Sequence, residues 1–112
     1  MPSTNIRNDN LAASTKTANI LAGDVNEFIP YRAQVRIYQV SSASGVRCTI
    51  LADSDVVVED KEIPFIGTTL DKSAHLLDSF FVSAGTRLAI FLRETAGVAT
   101  TDVLTAVDVT PV

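Results

Sequence analysis

Apolar and polar residues alternate along most of the chain beyond residue 26, and short runs of turn-forming residues separate the alternating stretches. Four stretches place apolar side chains at every second position, with Gln39 and Thr105 as the exceptions: residues 33–40, 46–50, 87–93 and 103–109. A period of two is typical of a half-buried β-strand, because successive side chains of a strand point to opposite faces of the sheet. The pattern therefore predicts four strands that each bury one face.

Three further stretches are apolar or β-branched without strict alternation. Residues 56–58 are three valines, which favour a strand, and residues 63–65 suggest a short extended piece that their central proline places at an edge or bend. Residues 76–82 are apolar on both faces, as expected of a central strand, and a short helix over residues 71–77 is the alternative.

Turn-forming residues separate the predicted strands. Residues 41–45, Ser-Ser-Ala-Ser-Gly, predict a β-hairpin between the two alternating stretches on either side of them. Asp53-Ser54 and Ser83-Ala84-Gly85 mark two further turns. The pattern predicts an all-β fold over residues 25–112, an antiparallel β-sandwich of about seven or eight strands that is either jelly-roll or immunoglobulin-like.

The one cysteine belongs to the predicted core, where cysteine behaves as a small hydrophobe. A nucleophilic pair of Cys48 with the single histidine, His75, oriented by Asp78, is the alternative interpretation. One Cys and one His are too few for a structural zinc site, and the chain has no Gly-x-Ser-x-Gly elbow and no Gly-x-Gly-x-x-Gly or Walker-type loop. We therefore expect no catalytic residue, no metal and no cofactor. The predicted core comprises Val35, Ile37, Val46, Cys48, Ile50, Phe80, Val82, Leu88, Ile90, Leu92 and Val107.

The first 24 residues differ from the rest, because Asn, Ser, Thr and Ala dominate them and apolar residues are sparse. We interpret residues 1–24 as an extended N-terminal arm with a first strand near residues 15–21. A segment this polar buries too little apolar surface to order itself, so a partner or its own domain must hold it. Its aliphatic residues are the predicted partner-binding anchors: Ile6, Leu11, Ile20 and Leu21.

Length and charge narrow the classes of partner. The chain has 112 residues, a formal net charge of −4 and a pI of about 4.7. That length suits one domain, and an acidic domain lacks the electrostatic footprint of a protein that binds nucleic acid or anionic lipid. No stretch approaches the roughly 20 apolar residues of a transmembrane helix, and no signal-peptide segment is evident. We therefore expect no nucleic acid, no membrane and no Sec-type export.

Two groups of residues could bind small ligands. Carboxylates are concentrated in residues 53–62 and could bind calcium, but they lack EF-hand spacing, and a solvated, charged strand edge is the favoured interpretation. Tyr31, Tyr38 and Phe91 could form an aromatic platform for a sugar. They are the basis of the alternative function, a carbohydrate-binding or adhesin-like module, and contact with the second sheet or a neighbouring subunit is the competing interpretation.

Segment 81–93, Phe-Val-Ser-Ala-Gly-Thr-Arg-Leu-Ala-Ile-Phe-Leu-Arg, is followed by a loop of Thr, Ala and Gly. It resembles the penultimate hairpin of small phage structural proteins. With the polar arm and a tryptophan-free sandwich of about 90 residues, the chain is similar to the capsid decoration (cement) proteins of tailed bacteriophages. The likeness is architectural and covers most of the chain, and no residue roles are carried across.

The resemblance implies a non-enzymatic structural protein of the virion that stabilises the phage capsid. Such proteins typically form trimers on the capsid surface, and several grip the shell with an N-terminal arm. We therefore expect the major capsid protein as partner, a homo-oligomer with a trimer as the specific guess, and a place on the capsid surface after synthesis in the host cytoplasm. The driving force would be buried apolar area, at roughly 25 cal/mol per Å² before association costs.

Overall fold

The computed structural model describes residues 3–11, 14, 16–24, 26–65, 75–97 and 101–112, except for the side chains of residues 3 and 9–11. These residues form eight strands and, within the described ranges, no helix. The strands are β1 (Ser3–Leu11), β2 (Phe28–Ile29), β3 (Ala33–Ser41), β4 (Val46–Ala52), β5 (Asp55–Glu62), β6 (Leu76–Val82), β7 (Thr86–Glu94) and β8 (Thr101–Pro111).

The strands form two four-stranded antiparallel sheets. Sheet A has the order β1-β8-β3-β6 and sheet B has the order β2-β7-β4-β5. The first strand pairs with the last, the second with the seventh, the third with the sixth and the fourth with the fifth. The chain therefore follows the path of one long hairpin whose strand pairs alternate between the sheets, which is a jelly roll. The predicted antiparallel sandwich is confirmed. Of the two forms predicted for it, the strand order is that of the jelly roll and not that of the immunoglobulin fold.

The core lies between the sheets and follows the alternation of the sequence. Every predicted core residue except Phe80 is buried, and Phe80 is partly buried against the same cluster. Complete burial of an Ile, Leu or Val side chain is worth about 1.5–3 kcal/mol, so these inward positions supply most of the driving force for folding.

The hairpin predicted at residues 41–45 is wrong. β3 belongs to sheet A and β4 to sheet B, so the loop over residues 41–45 crosses between the sheets. The turn at Ser83-Ala84-Gly85 likewise joins β6 of sheet A to β7 of sheet B. Alternation shows which face of a strand is buried but not which strand lies beside it, whereas the turn at Asp53-Ser54 does join the paired strands β4 and β5.

The stretch 76–82 is an edge strand and not a central one. Within the described ranges β6 pairs only with β3, and Leu77 and Val82 are buried while Leu76 and Phe81 are exposed. Its second apolar face is therefore on the surface. Residues 63–65 form no strand, because β5 ends at Glu62. Of the alternative helix over residues 71–77, residues 71–74 lie outside the described ranges and the last two belong to β6.

The segment predicted as an arm is attached to its own sandwich. β1 is the antiparallel neighbour of β8, and Leu21 is fully buried in the core cluster. The predicted first strand near residues 15–21 is instead an irregular stretch, with one isolated bridge between Lys16 and Arg93. β1 is extended despite its polar composition because β8 supplies the hydrogen-bonding partners that its backbone needs.

Candidate interaction surface

Residues 17–24, 26 and 27 close the outer edge of β7 in sheet B. The Ile90 N–H donates to Asn19 Oδ1 at 2.9 Å, and the Leu92 N–H donates to Thr17 Oγ1 at 3.0 Å. The Leu88 N–H donates to the Glu27 carbonyl at 2.7 Å. Side-chain oxygens thus accept hydrogen bonds at the positions where a neighbouring strand would otherwise offer carbonyls, so this edge is not open to another protein.

The four predicted anchors have different surroundings. Leu21 is 0% exposed, so it contacts its own core and no partner. Ile6 and Ile20 are partly buried and pack against that core. Leu11 lies at the end of β1, and its side chain is outside the described part of the structure. The anchors therefore do not form one exposed set.

Polar side chains fix the segment to the domain. The Thr4 hydroxyl donates to Asp24 Oδ1 at 2.6 Å and accepts from Asn26 Nδ2 at 2.8 Å. Glu27 forms an ion pair with Arg87 at 3.0 Å. The Gly23 N–H and then Arg87 lower the pKa of the Glu27 carboxyl. This network explains how so polar a segment can be ordered without a partner.

Cys48 lies in the core of the sandwich. Its side chain is 0% exposed, and burial raises the pKa of the thiol to about 12, while a hydrogen bond with Gln39 acts in the opposite direction. A thiol with that pKa carries almost no thiolate near neutral pH, and the thiolate is the reactive form. His75 immediately precedes β6 and is only partly buried.

The acidic stretch contains an ion-pair cluster. Asp60 has a positive φ of 47° and lies where β5 bulges against β4. Its carboxylate pairs with Arg93, and its Oδ2 lies 3.3 Å from Arg47 Nε. Arg93 first, and Arg47 to a smaller extent, lower the pKa of the Asp60 carboxyl. Among the described residues, no group of three or more potential ligands could hold a metal ion.

The three residues of the proposed sugar platform do not meet on one exposed patch. Tyr38 is 9% exposed on β3 of sheet A, whereas Phe91 lies on β7 of sheet B with Lys16 Nζ 5.0 Å from the centre of its ring. Tyr31 is partly buried against the core. The arrangement lacks the exposed set of aromatic side chains that the sugar-binding alternative needs.

The free edge of β6 exposes large apolar side chains. Phe81 is 67% exposed and Leu76 is 49% exposed, and among the described strands none lies beside β6 on the side away from β3. Exposed apolar side chains on an unpaired edge strand mark a site of protein contact or of aggregation.

The other sheet edges are better protected. β5 carries Asp55, Glu59, Lys61 and Glu62 and has two irregularities in its pairing with β4. β2 has only two residues, and β1 is mostly polar with an irregularity near its end. Charges, bulges and short length are the usual means of blocking edge-to-edge association. Among the described strands, β6 is therefore the edge most open to a partner.

Two features of the surface were not predicted from the sequence: the closed outer edge of β7 and the free edge of β6. Asn19 and Asp24 accept hydrogen bonds from the N–H groups of Leu21 and Asn26, each two residues further on. That is the Asx-turn pattern, which an Asx residue in a turn-rich stretch can signal. The exposure of Phe81 has no such signal, because it depends on β6 lacking a second neighbour.

Comparisons with known proteins add little. No protein-family model and no curated protein matches the chain. One similar solved structure comes from work on Bacillus endospore appendages, described as a novel family of disulfide-linked pili. It has 17% sequence identity and a TM-score of 0.35, over 99% of this chain and 88% of that chain, and likeness at this level carries no argument. The described residues include no helix long and apolar enough to span a membrane.

Proposed function

We propose that this chain is a non-enzymatic structural protein of a virus particle, a decoration protein that binds the major capsid protein on the outer surface of a phage capsid. The eight-stranded jelly roll is one of the architectures from which viral capsid domains are built. Because many unrelated functions share this fold, the proposal depends on the surface of the molecule as well as on its topology.

The observation that carries the proposal is the open edge of β6. Its exposed apolar side chains, Phe81 and Leu76, suit burial against another protein. Polar chemistry elsewhere has structural partners: the Cys48 thiol is in the core, Asp60 pairs with two arginines, and Glu27 holds a turn. These features support a function in binding rather than in catalysis.

Assembly into a trimer would increase the strength of attachment. Association of one subunit with the shell costs translational and rotational freedom and the desolvation of polar groups, so a single subunit can bind weakly. Linked copies attach with an effective concentration that raises overall affinity without any new contact. A trimeric decoration protein would in this way stabilise a shell that its single subunits hold only loosely.

Co-sedimentation with particles that lack the protein tests the proposal. We expect the wild-type chain to bind saturably, and Phe81→Ser with Leu76→Ser to weaken binding at least tenfold, because the contact loses its apolar centre. Phe28→Ser is the matched control, since Phe28 is 59% exposed but lies on β2 in the other sheet. Folded wild-type protein that fails to sediment with the particles would contradict the function. Equal loss in the control would contradict the choice of surface.

A further inference from the structure

Two backbone groups on the free edge of β6 are hydrogen-bonded to side chains. The Ser79 N–H donates to Oδ1 of its neighbour Asp78 at 2.9 Å, and Lys61 Nζ donates to the Leu77 carbonyl at 3.2 Å. Ser79 lies opposite Arg36 of β3, yet its N–H is satisfied by a side chain of its own strand. Such groups are available to a strand that arrives from outside, because displacing a flexible side chain leaves the ladder to β3 intact.

A groove runs beside this edge, where β5 of sheet B and β6 of sheet A meet at the same side of the sandwich. One depression of about 450 Å³ is lined by residues 57–62 together with Arg47 and Asp78. A second, of about 200 Å³, is lined by residues of 52–55 and by residues of 81–86. We call these two depressions and the adjoining edge of β6 the β5/β6 seam.

The β5/β6 seam is acidic. Its two depressions are lined by six carboxylates against two basic side chains, Arg47 and Lys61. Of that excess of four negative charges, Arg93 offsets one, because its guanidinium pairs with Asp60 from outside the two linings. The six carboxylates are those of Asp53, Asp55, Glu59, Asp60, Glu62 and Asp78.

We propose that the β5/β6 seam binds an extended, basic segment of a partner protein, which adds to sheet A as a strand beside β6. The segment would belong to the capsid protein that this chain is proposed to bind, so the inference rests on the proposed function. A second copy of this chain is the weaker occupant, because it would bring an equally acidic seam against this one. Like charges brought together at an interface oppose binding.

The added strand would replace the two side-chain contacts. Its carbonyl would accept from the Ser79 N–H, and its N–H would donate to the Leu77 carbonyl. The carboxylate of Asp78 would then be released to pair with a lysine or arginine of the incoming segment. An apolar side chain on the same segment would cover Phe81, which is 67% exposed. Affinity would come from backbone pairing, and specificity from charge.

Two synthetic peptides test the inference on the isolated full chain. One is Thr-Val-Thr-Lys-Val-Lys-Thr-Val-Thr, and the other has Glu in place of both Lys residues. We expect the basic peptide to bind saturably, with amide chemical-shift changes concentrated in β5 and β6, and the acidic peptide to bind at least tenfold more weakly. Asp78→Lys should lower the ratio of the affinities for the basic and the acidic peptide at least tenfold. A purely structural role of Asp78 would leave that ratio unchanged.

A pair of variants tests the strand addition itself. Ser79→Pro removes the outward N–H and should abolish binding of the basic peptide, whereas Ser79→Ala keeps that N–H and should bind as the wild type does. If Ser79→Pro fails to fold, the charge swap at Asp78 decides the question. Equal binding of both peptides, shifts mapped to another surface, or concentration-dependent pairing of β6 with a second copy would each overturn the inference. Wild-type protein that binds particles but neither peptide would also overturn it while leaving the proposed function intact.

Discussion

At the scale of single residues, the groups that carry reactive or charged chemistry are held by contacts that serve the fold. Gln39 is 0% exposed in the core, and its Nε2 donates to Thr105 Oγ1 at 3.2 Å. Glu94 is 1% exposed, and its carboxylate accepts from the N–H groups of Ser14, Ala96 and Gly97. Buried polar groups of this kind cost free energy unless they are hydrogen-bonded, and the Gln39 amide nitrogen and the Glu94 carboxylate have such partners.

The thiol of Cys48 gives a pH-dependent prediction. Its pKa is about 12 in the folded state against an ordinary value of 9.0, so the folded state retains the proton to higher pH. The free energy of unfolding should therefore be unaffected by this group below pH 9 and decrease above it, by up to about 1.4 kcal/mol per pH unit, as the unfolded chain ionises first.

The control for that prediction is Cys48→Ala, which has no thiol to ionise. Urea unfolding of both proteins at pH 7 and pH 10 should show the wild type losing more stability than the variant. An equal loss would mean that the thiol is accessible to solvent in the folded protein.

At the scale of elements, the hydrophobic pattern of the sequence did not predict that the edge of β7 is closed. Asn19 is polar and lies in a stretch with few apolar residues, which favoured an arm that leaves the domain. Its Oδ1 instead accepts from both the Leu21 N–H at 3.0 Å and the Ile90 N–H at 2.9 Å. Hydrophobic periodicity reports buried faces, and it contains no information on polar residues that complete the edge of a sheet.

Asn19→Ala should destabilise the protein by about 1–3 kcal/mol, because it leaves the N–H of Ile90 without its acceptor. Ala18→Ser is the matched control, since Ala18 is exposed and adjacent in the chain. Hydrogen exchange at the Ile90 amide should become faster in the Asn19 variant only. Unchanged exchange and unchanged unfolding would show that Asn19 does not close the edge.

Removal of residues 1–24 should abolish cooperative unfolding and not leave a folded sandwich. The deletion takes Leu21 out of the core, and it leaves the edges of β7 and β8 without cover. A shorter deletion of residues 1–11 is the graded control, because it removes β1 and keeps Leu21. Calorimetry of the two truncated chains measures the effect. A sharp transition in the longer deletion, at a temperature near that of the full chain, would restore the view of this segment as a separate arm.

At the scale of the whole molecule, the fold class followed from the sequence and the strand neighbours did not. The valines and isoleucines of β3, β4, β7 and β8 predicted the buried faces, since burial depends on the period of two. Whether β3 pairs with β4 depends on how the chain crosses between sheets at residues 41–45. Gly45, with a positive φ of 95°, stands at that crossing, where an added Cβ would lie 2.7 Å from Ala96 Cβ. Such a close approach is a tertiary property that no local pattern shows.

The candidate surface also belongs to this scale. The residues of β6 could be located on a strand from their composition, but the exposure of Phe81 depends on β6 having β3 as its one neighbour among the described strands. The charge of the β5/β6 seam depends on two strands from different sheets meeting at one side. An interaction surface formed by strand order therefore becomes visible only when the topology is known.

Quantitative mass spectrometry of virus particles purified from cells that produce this chain tests the central claim most directly. The account predicts that the chain co-purifies with the particles at a fixed ratio to the major capsid protein and remains bound through density-gradient centrifugation. Recovery of the chain only in the soluble fraction of the host lysate, with particles free of it, would contradict the claim that it is a structural protein of the capsid.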